Sequence, residues 1–501
     1  MPHSADTPRV LIIGSGLAGL TAGFELAERG FSVEILEAAP FPGGRTTSWV
    51  DERGRATDTG AHVVADHYVN LLHILERVGS SRRLVWFHDQ LYLRKGAAPV
   101  RWRLNDAPPP LHLLGMTLKF RGSLWQRFKL GLAALDGGSY PDDLLHRVDK
   151  MSYADWQRQY LGETLLEVGE AASEAACFLP AREASAHVVL SWIRSMARNS
   201  RASDLASWDG PFQDALIGPL VQAIERRGGR LRLGTAVVRL EHDGRRVTCV
   251  VTRQSGCVGP FHSPDGVAPL KAQGAEERLE YDFVISAMPV QAFQAVATPE
   301  LAAAAGLNSV SSLSTVPAIG LSIWFDRPLA ASPDCAPLCN GVSMRGFMNF
   351  ASVRRAGPDE PAVVQFVLTD ARTRTQQSDE QIISDVIRDF REVWPEARDM
   401  RPVDYALERV GSAMHASVPG AYAARPSSTT RLRNFFLAGD WTKHEVKPSM
   451  EGATVSGRCA ADALLRSVGQ PGVNILQPAE GYFTRAVRSV RRALLSQGSA
   501  A

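Results

Sequence analysis

The residues of this chain whose types and spacing could do chemistry are mostly glycines. Gly14, Gly16 and Gly19 form a GxGxxG run, Glu37 stands eighteen positions after the last of them, and Gly43, Gly44 and Arg45 follow within eight more. Such a set can hold a pyrophosphate and a ribose. Glycine at 14 permits a tight turn, glycine at 16 lets phosphate oxygens approach the backbone, and glycine at 19 lets a helix pack closely on a strand. An acid at 37 can accept hydrogen bonds from ribose hydroxyls. No competing machinery is visible. There is no GxSxG nucleophile elbow and no HExxH, and the scattered histidines and cysteines give no metal-ligand spacing. No metal is expected, and no catalytic side chain can be named.

The elements that must position these residues are legible around them. Val10, Leu11, Ile12 and Ile13 read as a buried parallel strand. Leu17 to Arg29 has helical spacing, with Leu20, Phe24, Leu26 and Ala27 apolar and Gly30 as its stop. Phe31 to Leu36 is a second strand that ends at Glu37. The helix N-terminus offers amides and a positive dipole end to phosphate. Ala18 and Ala38, in the glycine turn and beside the acid, join the expected contact set. The second glycine turn favours FAD over NAD. A flavin dinucleotide runs extended and needs contacts beyond the first βαβ unit, whereas an NAD site is mostly complete by Glu37.

The motifs GSGLAGL, LEAAPFPGGR and TGAHVV resemble the flavoprotein superfamily of amine oxidases and carotene desaturases. Leu437–Lys443 (LAGDWTK) and Ser449–Arg458 (SMEGATVSGR) resemble more narrowly the plant- and cyanobacterial-type phytoene and zeta-carotene desaturases. Pro109–Leu114 (PPLHLL) leans towards the related bacterial squalene-associated enzymes, which include hydroxysqualene dehydroxylase. The resemblance implies an α/β fold: a Rossmann-type FAD-binding domain with an inserted α+β substrate domain and a helical lid. It implies that His62 and Val63 give backbone contacts to the flavin nucleotide, with Tyr68 nearby. It further implies Arg194 near the flavin, the Val237 backbone against adenine, Asp440 on the ribityl or pyrophosphate region, and Met450 beside the isoalloxazine. Without it, His62 and Val237 read as core residues and Arg194 as a surface cation. The chain departs from the family at Val63, Val64, Ala65 and Asp66, where two aromatics and a glycine are usual, and the match at Arg194 is offset by one. The implied activity is FAD-dependent redox chemistry on a long apolar isoprenoid, with carotene desaturation first and hydroxysqualene dehydroxylation, in which the flavin would deliver a hydride rather than receive one, as the alternative. A flavin amine oxidase and a non-catalytic prenyl-binding carrier are further readings. A membrane quinone is a plausible electron acceptor for the first.

The whole chain is compatible with this. Its 501 residues allow two or three domains, its net charge is +2, and 45% of its residues are apolar. That balance excludes a nucleic-acid partner on electrostatic grounds. The six cysteines (Cys177, Cys249, Cys257, Cys335, Cys339, Cys459) read as free thiols. No run of about 18 apolar residues or leader-like N-terminus is present, so a cytoplasmic protein, able to touch a membrane surface, is expected. Residues 1–95, 228–300 and 430–466 are expected to form the FAD-binding domain, 96–227 a helical insertion, 301–429 the substrate domain, and 467–501 a linker and basic tail. Expected helices include 67–79, 111–120, 125–135, 185–196, 211–227, 379–394 and 454–465. Expected strands include the pair 46–50 and 56–64, then 84–95, 231–241, 247–253, 281–287, 316–326, 346–350 and 361–369. Residues 254–278 read as a long surface hairpin. The helices 111–120 and 125–135 are either an ordinary core-facing pair or a lid that admits a greasy substrate from a membrane. In the tail, Phe483, Val487, Val490 and Leu494 share one helical face and Arg485, Arg488, Arg491 and Arg492 lie elsewhere, which suits either an anionic membrane or plain packing.

Overall fold

The computed structural model describes residues 7–497, except 52–53, 88–89, 98–99, 103–122, 163–165, 199–200, 202–203, 257–271, 328, 330–334, 337 and 355–361. The expected helix 111–120, the Pro109–Leu114 motif and the tip of the 254–278 hairpin lie outside the described residues.

Five parallel strands form the central sheet, in the order Arg230–Arg232, Ser32–Leu36, Arg9–Ile13, Phe283–Ser286, Phe435–Leu437. The strands are apolar on both faces because helices cover both. Helix Leu17–Ala27 is buried along its whole length. An added Cβ on Gly23 would stand 2.9 Å from Ile35 Cδ1, and one on Gly457 would stand 2.3 Å from the Ala18 carbonyl oxygen. Small residues therefore let helix Met450–Ser467 cross the first helix almost backbone to backbone. Leu20, Phe24 and Leu26 are fully buried beside them, each contributing about 2 kcal/mol of apolar burial.

A second sheet is antiparallel, in the order Cys335–Ala336, Gly346–Asn349, Ala362–Leu368, Thr315–Phe325, Pro402–His415. Its faces divide by the two-residue period of a strand. Ile319, Leu321, Ile323 and Phe325 pack with Phe347, Phe366 and Phe390 of helix Asp379–Val393. The aromatics Phe325, Phe347 and Phe366 are thus core. The opposite face carries small and polar residues towards the nucleotide half. There Gln365 donates to Ser322 Oγ at 3.1 Å and to the Asp58 carbonyl at 3.3 Å. Arg354 pairs with the buried Asp58 carboxylate. Helices Leu124–Gly138, Tyr153–Leu161, Leu166–Cys177 and Ala186–Ala197 make a separate helical layer with its own core.

Several elements differ from expectation, each for a local reason. The strand 231–241 is broken at Gly234 (φ +63°). Arg230–Arg232 joins the central sheet and Thr235–His242 starts a three-stranded sheet with Val247–Ser255 and Ala272–Leu279. The helix 211–227 begins as a wide π turn, Gln213–Ile217, and becomes α-helical only at Gly218–Glu225. Pro219 sits at that junction and has no N–H to continue a regular ladder. Leu84–Lys95 is two strands: Leu84–Phe87 pairs with Leu205–Trp208, and Gln90–Arg94 pairs with Leu338–Asn340 next to the second sheet. The pair 46–64 shrinks to Ser48–Val50 with Ala56–Asp58. Helix 454–465 begins at Met450, because the Ser449 side chain caps it by accepting from the Gly452 amide at 3.1 Å. Strand Pro402–His415 was not expected at all, since its sequence carries Asp404, Glu408 and Arg409 among the apolar positions. It lies at the sheet edge, where charge is tolerated.

Candidate functional site

The glycine turn is built as its spacing requires. Gly14 has φ +105°, and its N–H donates to the Leu36 carbonyl at 2.8 Å. An added Cβ on Gly19 would stand 1.9 Å from the Gly14 carbonyl oxygen, whereas one on Gly16 would meet nothing within 4 Å. Gly14 and Gly19 are therefore packing positions, and Gly16 borders open space. Gly16 is also the N-cap of helix Leu17–Ala27 and has no side chain to offer its first amides, including that of the buried Ala18. Gly44 (φ +58°) lies across from it, its added Cβ 3.2 Å from Gly16 Cα. The buried Glu37 carboxylate accepts from the Ser15 amide (2.9 Å), the Ser15 hydroxyl (2.7 Å) and the Ala39 amide (2.9 Å). Ala38 is half-buried beside it. The Thr235 amide donates to the Glu37 carbonyl at 2.8 Å, so Val237, two residues on and buried, is carried to the acid's end of the cradle.

The C-terminal segment closes the other side. Arg45 Nη2 donates to Asp440 Oδ1 at 2.7 Å and Arg45 Nη1 to the Ala413 carbonyl at 3.0 Å. Gly439 (φ +134°) is held by its amide donating to Ser456 Oγ at 2.9 Å. Arg425 donates through Nε to the Thr442 carbonyl at 2.9 Å and through Nη2 to the Asp440 carbonyl at 3.1 Å. Burial alone would raise the Asp440 carboxyl, but Arg45, His415 and Arg425 hold it below the usual carboxylate range. Burial, with Arg425 adding to it, pushes His415 down to about 3 and keeps it neutral. His444 is buried and neutral too, held well below its ordinary value by burial and by Arg425.

Met450 opens helix Met450–Ser467 and is buried in the same core as Tyr68. The next residue, Glu451, accepts from the Asn70 amide (3.0 Å), Asn70 Nδ2 (2.8 Å) and the Leu71 amide (2.8 Å), and so caps helix Val69–Val78 behind Tyr68. His62 Nδ1 bonds the Gly60 carbonyl at 2.8 Å, and its ring stands edge-on to Phe212 at 5.2 Å. Val63 is half-buried against the cluster of Phe87, Met348 and Phe350. Arg194 is buried in the last turn of helix Ala186–Ala197, near Glu445. Burial opposes ionisation of Glu445, but His187, Tyr422 and Arg194 hold its carboxyl below the usual range. Contacts thus link Gly14 with Gly19 and Gly16 with Gly44, Ser15 ties Glu37 to the same turn, and Arg45, next to Gly44, reaches Asp440; the contacts of His62, Val63 and Arg194 are with other residues. His415, Arg425, His444 and Glu451 were not found from the sequence. The alternating Val403, Tyr405 and Leu407 could have signalled the strand that ends at His415; nothing local marks Arg425.

Residues 17–465 match the flavin-containing amine oxidoreductase family. This chain belongs to that family. The 15-cis-phytoene desaturase of Synechococcus elongatus is 27% identical over 92% of this chain and 98% of its own length. A probable zeta-carotene desaturase of the same organism is 26% identical over 92% of this chain and 99% of its own. Among solved structures, cyclohexylamine oxidase from Brevibacterium oxydans aligns with a TM-score of 0.65 at 15% identity, covering 93% of this chain and all (100%) of that one. At that identity the likeness speaks to fold alone. As a member of the flavin family the chain is an FAD-dependent oxidoreductase. The residues fit an extended dinucleotide: open space over Gly16, a buried acid at Glu37, and the Arg45–Asp440 pair one residue beyond Gly44, which faces Gly16. When bound, FAD supplies the two-electron chemistry; the chain's own task is to orient the substrate, exclude water and handle the proton.

Proposed function

We propose that this chain is a desaturase of a long apolar isoprenoid, of the phytoene and zeta-carotene type. The observation that supports it best is similarity to desaturases over 98% of a relative's length, covering both the cradle and the inserted layers. On this reading Gly14, Gly16, Ala18 and Gly19 hold the pyrophosphate and Glu37, Ala38 and Val237 the adenosine end. Gly44, Arg45, Asp440, Met450, His62, Val63, Tyr68 and Arg194 surround the ribityl and flavin end. Residues 1–95, 228–300 and 430–466 then serve the cofactor and the other layers the substrate.

A membrane surface is the proposed source of substrate. Helix Leu124–Gly138 buries Gly131, Ala133 and Gly137 against its neighbours but leaves Leu124 (82%), Trp125 (63%), Phe128 (54%) and Leu132 (44%) exposed on the outside. Trp125 stacks on Phe128 at 5.5 Å, and Lys129 lies over Trp125. An apolar stripe with cations beside it suits the boundary of anionic lipid. The tail helix Tyr482–Gln497, which is rich in arginine, is anchored nearby: the Gly481 amide donates to the Arg198 carbonyl at 3.0 Å and Thr484 Oγ1 to the Ala197 carbonyl at 3.4 Å. Its Phe483 and Leu494 side chains lie outside the described residues. Among the described residues no helix is long and apolar enough to cross a membrane. The proposed electron acceptor is a membrane quinone.

The test is anaerobic product analysis of flavin-loaded protein in liposomes with phytoene, zeta-carotene or hydroxysqualene, each with and without quinone or reductant. New conjugated double bonds that depend on quinone are the expected result. Squalene formed only with reductant would replace the desaturase with a dehydroxylase, and peroxide released from an amine would replace it with an oxidase.

A further inference from the structure

Gly320 stands in the middle of strand Thr315–Phe325, which is paired on both edges, with Ala362–Leu368 and with Pro402–His415. Glycine weakens a strand interior and marks a place where something approaches the backbone closely. Here the neighbour is the Asp58–Gly60 segment of the nucleotide half. An added Cβ on Gly320 would stand 2.9 Å from the Thr59 carbonyl oxygen and 3.4 Å from Gly60 Cα. We propose that Gly320 and Gln365 are positioning residues for the flavin: by seating Asp58–Gly60 they set one wall of the space it occupies. The proposal rests on the reading above that Arg45 and His62 lie at the flavin end.

The contacts around that segment leave it little slack. Ser322 and Gln365 are register partners on the face of the sheet that carries Gly320. The buried Gln365 amide donates both to Ser322 Oγ at 3.1 Å and to the Asp58 carbonyl at 3.3 Å. Arg354 holds one oxygen of the Asp58 carboxylate, and the other accepts from the Phe212 amide at 3.4 Å. The Thr59 amide donates to the Thr47 carbonyl at 3.1 Å, and the Thr59 hydroxyl donates to the Arg45 carbonyl at 2.8 Å. His62 Nδ1 bonds the Gly60 carbonyl at 2.8 Å. Each carbonyl from 58 to 60 is therefore either hydrogen-bonded or pressed against the second sheet.

The same contacts reach the cradle. Arg45 pairs with Asp440 and follows Gly44, which faces Gly16. Gly60 is itself buried, yet an added Cβ on it would meet nothing within 4 Å. Gly60 therefore borders open space inside the protein, on a side away from Gly320. The two glycines are small for opposite reasons: a neighbour presses on Gly320, and none presses on Gly60. Ladders on both edges pin the strand at Gly320, so a methyl group there displaces the Thr59–Gly60 backbone instead. The displacement moves that backbone towards the open space and pulls on the Arg45 carbonyl.

The experiment titrates FAD into the apoprotein of wild type, Gly320→Ala, Gln365→Met, Gly60→Val and Ile323→Val. It reads flavin fluorescence, the visible spectrum of the bound flavin, and apoprotein Tm. Ile323 is buried on the opposite face of the same strand, so Ile323→Val controls for plain loss of core packing. Gly320→Ala and Gln365→Met are expected to weaken FAD binding by about tenfold and to alter the visible band of the flavin that stays bound. Ile323→Val is expected to do neither. Wild-type affinity and spectrum in Gly320→Ala and Gln365→Met overturn the proposal, as does equal weakening by Ile323→Val. Gln365→Met keeps the side-chain length and removes only the amide, so it decides the matter should Gly320→Ala fail to fold. Gly60→Val fills the space itself and is expected to abolish FAD binding with apoprotein Tm unchanged. If it binds FAD as wild type does, the space is not the flavin's; the reading beneath the proposal has then failed, whatever Gly320→Ala shows.

Discussion

The glycine cradle and the cluster around His415, Arg425 and Asp440 are joined through Arg45 and are built by different means. The cradle is made of backbone. Its determinants are glycines that admit a turn, a helix or a phosphate, within one stretch of chain from Arg9 to Arg45. The far cluster is made of side chains brought from residues 45, 415, 425, 440 and 444, and it is held by charge in a buried place. The first arrangement is insensitive to pH and intolerant of volume. The second tolerates some volume change and is sensitive to protonation.

The largest effect should come from breaking the cradle by volume. Gly19→Val places carbon 1.9 Å from a backbone oxygen that cannot move without the Gly14 turn. We expect a loss of at least about 3 kcal/mol of stability, read as a fall in Tm together with loss of flavin absorbance. Gly16→Ala sharpens the point. Nothing lies within 4 Å of its new Cβ, so the apoprotein should keep its stability within about 0.5 kcal/mol while flavin content drops. Equal effects from the two substitutions would mean that Gly16 does not border the pyrophosphate.

Breaking the far cluster by charge should come next. Asp440→Ala leaves Arg45 and the buried Arg425 without their anion. Losing one partner of a buried pair costs about 3–5 kcal/mol, and because Arg45 is a third exposed the expected loss is nearer about 2 kcal/mol. Flavin content should fall with it; unchanged flavin content in purified Asp440→Ala would sink the assignment of the Arg45–Asp440 pair to the cofactor.

Acid should unfold the protein through the same cluster. His415 has its folded-state value depressed to about 3 against an unfolded value of about 6.5. Below about pH 6.5 the unfolded chain therefore binds the extra proton and the folded one does not. Stability is complete above that pH and falls as pH drops, by about 2 kcal/mol at pH 5 for this one group. His444, also depressed, acts in the same direction. Denaturant midpoints measured from pH 7.5 to 5 should show this slope in wild type and a shallower one in His415→Gln.

The smallest effect on stability should come from the outer helix. Replacing Trp125 and Phe128 by Ser removes mostly exposed surface, so stability should stay within about 0.5 kcal/mol while cosedimentation with anionic liposomes weakens. A large fall in Tm would show that these rings pack against the protein rather than meet lipid.

The glycine cradle, the acid at Glu37 and the second glycine turn at Gly43 and Gly44 were legible because each is a local demand on φ or on atomic volume. Strand–turn–helix patterning carries that demand within about thirty residues. The apolar strands 316–326 and 361–369 and helix 379–394 were legible through their periods. The edge strand Pro402–His415 was not, since charge at its positions breaks the alternation that marks a half-buried strand. Nor was the early start of helix Met450–Ser467, which a single serine cap decides. The sequence by itself determined the strand, glycine turn and helix of the cradle, because backbone conformation is a short-range property. Only the tertiary structure decided that Arg45 meets Asp440 across 395 positions and that His415 is neutral. Those are properties of desolvation and of distance in space, and neither is written in any short stretch of chain.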